Sequence, residues 1–145
     1  MTFFNISCKL KYEGEYLNGE RNGKGKEYND QGKLEFEGEY LNGVKWNGKG
    51  KEYNYNGKLE FEGEYLIGKR NGKGKEYNFN GKLLFDGEYL NGERNGKGKE
   101  YDKKNGKLIF EGEYLNGEKW NGKGKEYNFN GILIFDGEYL NGKRN

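Results

Sequence analysis

From Leu34 to Leu41 the chain reads LEFEGEYL, with Leu34, Phe36, Gly38 and Tyr40 alternating with Glu35, Glu37 and Glu39. A period of two marks a strand with one covered and one wetted face. Asn42-Gly43 follows, the dipeptide best suited to a two-residue hairpin turn because both residues tolerate positive φ. GKGKEY, Gly48 to Tyr53, is the returning strand; its glycines weaken it but let aromatic rings lie over the backbone. NYNG, Asn54 to Gly57, makes the second turn before KLEFEGEYL opens the next hairpin. The segments between turns are too short for a helix and Gly recurs every few residues, so no helix is predicted. The side-chain parity of GKGKEY has two solutions. Either Tyr53 joins the Phe36/Tyr40 face and brings Lys49 and Lys51 with it, or the glycines lie under the rings and Tyr53 points away unless a glycine bulge intervenes.

The same unit recurs with starts at Tyr12, Phe36, Phe61, Phe85, Phe110 and Phe135, 24 or 25 residues apart. A period in the twenties points to a stacked array. The predicted fold is all-β: an elongated, twisted antiparallel β-hairpin solenoid, a single-layer meander of about ten or eleven strands. At ~4.8 Å per strand the ribbon extends for roughly 50 Å. The extra residue of the longer spacings falls in loops, at LNGVKWNG and LNGEKWNG, which hold Trp46 and Trp120, and at YDKKNG, Tyr101 to Gly106. Loop insertions leave strand register intact, whereas an insertion within a strand would reverse the side chains beyond it. Residues 1–8 read as a degenerate half-repeat or cap, with Phe4 where Tyr28 would be, and residues 9–145 as the array. The chain stops in mid-loop at Asn145, leaving the strand Leu133 to Leu140 without a hairpin partner, an open edge of the kind that pairs with another chain. A single repeat has too few large apolar groups to offset the ordering of its residues, so stability is expected to come from neighbours.

Composition changes this picture in three ways. Hydrophobic residues make up only 31% of the 145 residues, but 13 Tyr, nine Phe and two Trp supply buriable surface, so the chain reads as folded despite 34% charge and 27 Gly. The net charge is +2 with both signs interleaved in every repeat, which argues against nucleic acid as a partner. Cys8 is the only cysteine, which excludes an intramolecular disulfide or a cysteine-based zinc site and favours an intracellular, cytoplasmic setting. No apolar run reaches the ~18 residues a spanning helix needs, so membrane contact would be peripheral.

The inventory is poor in catalytic chemistry. There is no His, and Ser7 and Thr2 are the only hydroxyl side chains apart from Tyr. No catalytic residue, cofactor, metal or small-molecule substrate is therefore expected. GVKWNGK and GEKWNGK match a phosphate-loop spacing up to Lys49 and Lys123, but Gly50 and Gly124 stand at the Ser/Thr position and no helix follows. The carboxylate pairs Glu37/Glu39 and Glu62/Glu64 recur in every copy, which suits cross-strand partners for lysine better than a catalytic pair. Lys24, Lys26, Lys49, Lys51, Lys73, Lys75, Lys97, Lys99, Lys123 and Lys125 are predicted to form a row along the ribbon. Such a row is a candidate for anionic lipid, with neighbouring Glu cancelling much of the attraction. Trp46 and Trp120, and Phe135 and Tyr139 at the last edge, are the candidate partner-interface residues.

The pattern F/Y-E-G-E-Y-x-N-G, then N-G-K-G-K-E-Y, then N-G resembles the MORN repeat (membrane occupation and recognition nexus), from about Lys9 to Asn145, with five full copies and a sixth begun. The family usually has Trp where this chain has Tyr16, Tyr40, Tyr65, Tyr89, Tyr114 and Tyr139. The resemblance implies a solenoid of β-hairpins used as a scaffold, often as an accessory region of a larger protein such as a lipid kinase, with phospholipid binding attributed to some members. The expected function is a non-enzymatic scaffold for protein–protein interaction, including self-association through the C-terminal edge. Peripheral binding to acidic phospholipid is the alternative, with attachment at a membrane or the cytoskeleton.

Overall fold

The computed structural model describes residues 9–145, which form one twelve-stranded antiparallel sheet in strict sequence order. The strands are β1 (Tyr12–Leu17), β2 (Glu20–Tyr28), β3 (Leu34–Leu41), β4 (Val44–Tyr53), β5 (Leu59–Leu66), β6 (Lys69–Tyr77), β7 (Leu83–Leu90), β8 (Glu93–Tyr101), β9 (Leu108–Leu115), β10 (Glu118–Tyr127), β11 (Leu133–Leu140) and β12 (Lys143–Arg144). There is no helix among the described residues. The cap expected at residues 1–8, Phe4 included, lies outside them.

Asn42 and Gly43 have φ of 48° and 78°, the paired positive values of a turn that matches strand twist. This tight turn leaves no room for an extra residue, and so Trp46 and Trp120 do not sit in loops as expected. They are bulged residues inside β4 and β10, between Lys45 and Asn47 and between Lys119 and Asn121. Register does not stay constant either. Gly38 faces Gly48 in a tryptophan hairpin, whereas Gly14 faces Gly25, the second glycine of its strand, in a shorter one. The slip is two residues, which preserves the face of every side chain. YDKKNG does place its insertion in a turn, between β8 and β9.

Twelve strands replace the expected ten or eleven, because β12 forms beyond the last Asn-Gly turn. The strand Leu133–Leu140 therefore does have a hairpin partner, although β12 pairs with β11 only at Tyr139 and Leu140.

One face of the sheet carries the core. Phe36, Phe61, Phe85 and Phe110 are buried, the middle two with 0% exposure, together with Tyr40, Tyr89 and Tyr114. Their rings zigzag from hairpin to hairpin in edge-to-face contacts, Phe36–Tyr65, Phe61–Tyr89, Phe85–Tyr114 and Phe110–Tyr139, with centroids 5.1 to 6.2 Å apart. Each repeat thus completes the packing of the next. Leu41 and its equivalents stay exposed on the other face and add little to the core.

The parity question resolves in favour of glycines under rings. A Cβ on Gly50 would stand 2.5 Å from Tyr65 Cε2, and one on Gly74 2.7 Å from Phe61. Tyr53 points away with the lysines. The accompanying bulge lies on the partner strand, where Glu52 faces Phe61, Tyr53 faces Leu59 and Glu60 is left over.

Candidate functional site

The two faces have different chemistry. On the aromatic face the glutamate of each GKGKEY points inward with the glycines. Glu52 accepts the Tyr65 hydroxyl at 2.5 Å and a bidentate pair of bonds from Arg70, at 2.9 and 2.6 Å. Glu76 accepts from Tyr89 and is paired with Arg94 at 2.8 Å; Glu100 accepts from Tyr114 at 2.6 Å. The arginines cap the rings, with Arg70 3.9 Å above Phe61 and Arg94 4.1 Å above Phe85. These contacts shift titration in opposite directions. The Arg70 bonds hold Glu52 below its ordinary range, and at Glu76 burial acts upward but Arg94 and Tyr89 outweigh it. Burial first, then the bond to Glu76, pushes Tyr89 upward. The Tyr–Glu–Arg groups from β4 to β9 are thus engaged with one another on this face.

The opposite face holds the whole lysine row and alternates it with acids. Lys24 and Lys26 face Glu39 and Glu37; Lys49 and Lys51 face Glu64 and Glu62; Lys73 and Lys75 face Glu88 and Asp86. Lys97 and Lys99 face Glu113 and Glu111, and Lys123 and Lys125 face Glu138 and Asp136. The second lysine of most strands closes an ion pair: Lys26–Glu37 and Lys99–Glu111 at 3.3 Å, Lys75–Asp86 at 3.6 Å, Lys125–Asp136 at 3.3 Å. The row is a checkerboard rather than a basic stripe.

A trough of about 490 Å³ crosses this face from β3 to β7, floored by Gly50, Gly63 and Gly74 and walled by Glu37, Lys49, Lys51, Glu62, Glu64, Lys73 and Lys75. Several acids there are occupied internally. Glu62 accepts the Tyr77 hydroxyl at 2.6 Å, Glu64 accepts the Lys73 amide at 2.9 Å, and Glu37 holds Lys26. The Glu64 bond closes the bulge of the β5–β6 hairpin, a role shared by Glu15 and Glu88 that the sequence pattern does not reveal, because these residues sit in phase with the surface glutamates.

The four candidate interface residues separate. Trp46 is 38% exposed, whereas Trp120 is half-buried against the last turn, where a Cβ on Gly142 would meet its ring at 3.3 Å. Phe135 and Tyr139 end the aromatic zigzag, 5.5 Å apart, with Arg144 over Phe135. The inward glutamates Glu27, Glu52, Glu76, Glu100 and Glu126 were not singled out by sequence, although their parity with the glycines was the available signal. No group of three or more His, Cys, Asp or Glu among the described residues is arranged to hold a metal ion. No described helix is long and apolar enough to cross a membrane.

Three segments, residues 12–33, 61–82 and 85–107, match the family model of the MORN repeat. No curated protein matches the chain. The unmatched segments between and after them carry the same hairpins in the same sheet order. With its repeat period, its glycine-under-ring hairpins and these three matches, the chain belongs to the MORN repeat family.

Proposed function

We propose that the chain is a non-catalytic scaffold that binds a protein partner on its Lys/Glu face. The observation that carries this reading is the trough, whose walls come from five consecutive strands and therefore belong to no single repeat. An array of this kind presents many equivalent weak contacts on a preformed surface, which lowers the ordering cost of binding. The aromatic face suits the task less, because its Tyr–Glu–Arg groups from β4 to β9 are already paired with one another.

Acidic phospholipid is the weaker reading. Attraction to an anionic surface adds per basic charge, and here each lysine of the row faces a carboxylate. Association of two copies along β11 is a second reading, favoured by the exposed Ile132, Leu133 and Ile134, the first of which stands where the other copies carry Lys33, Lys58, Lys82 and Lys107.

Affinity capture with the wild-type chain and with K49E/K51E/K73E, run beside co-sedimentation with phosphatidylserine vesicles, tests the proposal. Proteins retained by the wild type and lost by the variant are expected, with no vesicle binding at physiological salt. Salt-sensitive vesicle binding lost in the same variant, with identical protein capture, would overturn it.

A further inference from the structure

The turns that join β2 to β3, β4 to β5, β6 to β7, β8 to β9 and β10 to β11 line one long edge of the sheet. Each is closed by its opening Asn or Asp. Asn54 accepts the amides of Asn56 and Lys58 at 3.0 Å, Asn78 those of Asn80 and Lys82 at 2.9 Å, and Asp102 those of Lys104 and Asn105 at 2.8 and 2.9 Å. This closure engages the turn backbone and leaves the side chain after the Asn projecting. In three turns that side chain is a ring: Tyr55 is 86% exposed, Phe129 84% and Phe79 51%. Rings this open add little to the fold.

From Tyr55 onward each turn touches the next. The Tyr55 and Phe79 rings lie 6.1 Å apart, with Lys58 Nζ 5.5 Å from the Phe79 centroid. Asn78 Nδ2 donates to the Lys103 carbonyl at 3.3 Å, and Lys104 Nζ donates to the Phe129 carbonyl at 2.7 Å. Between the last two turns lies a cleft of about 290 Å³ lined by Lys103, Lys104, Tyr127 and Phe129 among others.

The charge along this edge differs from the checkerboard of the Lys/Glu face. From the β4–β5 turn onward the turns hold Lys58, Lys82, Lys103, Lys104 and Lys107 against Asp102 alone, and Asp102 is engaged with its two amides. The strand starts that follow add one acid, Glu60, where the later copies carry Leu84, Ile109 and Ile134. None of the five lysines makes an ion pair within 4.0 Å among the described residues, unlike Lys26, Lys75, Lys99 and Lys125. The β2–β3 turn provides an internal contrast, with Gln31 at the ring position and Asp30 and Glu35 around Lys33. The whole-chain charge of +2, which argues against nucleic acid, averages over this local excess.

We propose that the edge from Tyr55 to Phe129 is a track for single-stranded nucleic acid, with bases stacked on Tyr55, Phe79 and Phe129 and phosphates on the lysines between them. Open rings interleaved with basic side chains suit an unpaired strand, since every base has a π-face and every nucleotide a charge. Shape disfavours a lipid surface. Consecutive turns are two strands apart in a twisted sheet, so their tips rotate by roughly 40–50° from one to the next. A flat bilayer meets one or two of them, whereas a flexible strand follows the whole edge. The track shares none of these residues with the trough and does not rest on the scaffold reading.

Fluorescence anisotropy of a labelled oligouridylate of about 20 nucleotides, titrated with the full chain at several salt concentrations, tests this. Binding is expected at low salt and should weaken as salt rises. Y55S/F79S/F129S, which leaves the charge unchanged, should raise Kd by about tenfold or more and keep the salt slope. K82E/K103E/K107E should raise Kd and flatten the slope. The charge swap K24E/E39K on the Lys/Glu face should leave binding as it is. The six substituted edge residues are exposed, so circular dichroism should show the fold intact in both triple variants. No anisotropy change at low salt, or equal binding by Y55S/F79S/F129S, would overturn the inference. Phosphatidylserine vesicles bound by the wild type and released by Y55S/F79S/F129S, with no oligouridylate binding, would assign the edge to lipid instead.

Discussion

At the scale of the residue, the array depends on close approach. Gly74 lies beneath Phe61 and Tyr89, where a Cβ would stand 2.7 and 3.0 Å from their rings. Gly74→Ala is therefore expected to destabilise by about 1–3 kcal/mol, since the rings are packed from both sides and cannot retreat. Urea denaturation checks this, with Lys49→Ala on the open face as a control expected within about 0.5 kcal/mol of wild type. The opposite sign is expected at Ile67, whose φ is 50° where the other copies carry Asn, so that Asn relieves left-handed strain on the order of 1 kcal/mol. A lower urea midpoint for Ile67→Asn would mean that the isoleucine serves packing instead.

At the scale of the element, the hairpin is coupled to its neighbours through one phenylalanine each. Phe85 touches Tyr89 within its own repeat and Tyr114 in the next, so Phe85→Ala should cost about 3–5 kcal/mol and loosen both hairpins. Amide exchange would show protection lost in β7 and also in β9; loss confined to β7–β8 would contradict the coupling. The Tyr–Glu–Arg bridges give the sheet a pH dependence with two limbs. Glu52, Glu76 and Glu126 titrate below the ordinary glutamate range when folded, so their contribution is complete above that range and is lost as pH falls through the lowered values. The bridge tyrosines Tyr65, Tyr89, Tyr114 and Tyr139 behave in the reverse sense. Burial and their glutamate partners raise them, as burial and Glu62 push Tyr77 up to about 12, so stability falls as pH rises past the unfolded value. A urea midpoint that stays constant on acidification below the ordinary glutamate range would contradict the acid limb.

Much of the element was legible from LEFEGEYL and GKGKEY. Period two set the strand, Asn-Gly set the turn, and the glycines announced the rings above them. What was not legible has a common cause. The sequence shows an extra residue in LNGVKWNG but not where it goes, because turn and bulge cost different amounts only once the Asn42-Gly43 geometry is known. The inward glutamates were hidden for a related reason: the GKGKEY pattern admits two parities, and the register decides. Ile67 is visible as an exception in FEGEYLIG, yet the strain it carries depends on its φ.

At the scale of the whole molecule, stability should behave as a sum over units and interfaces rather than as one core. Deleting residues 61–84 removes one complete repeat and joins Glu60 to Phe85 in phase. The shortened chain should fold to the same circular-dichroism signature with a lower thermal midpoint, whereas loss of the fold would mean that the repeats are not interchangeable units. The same deletion removes Glu62, Glu64, Lys73 and Lys75 from the trough walls, so partner binding should weaken although the sheet remains. The functional account therefore comes down to whether the trough lysines are read by a protein or by a lipid surface. The most direct measurement is affinity capture by the wild type and by K49E/K51E/K73E with parallel phosphatidylserine vesicle co-sedimentation. The account predicts a protein that is bound by the wild type and lost in the variant, with vesicles bound by neither; unchanged protein capture, with vesicles bound by the wild type and released by the variant, would contradict it.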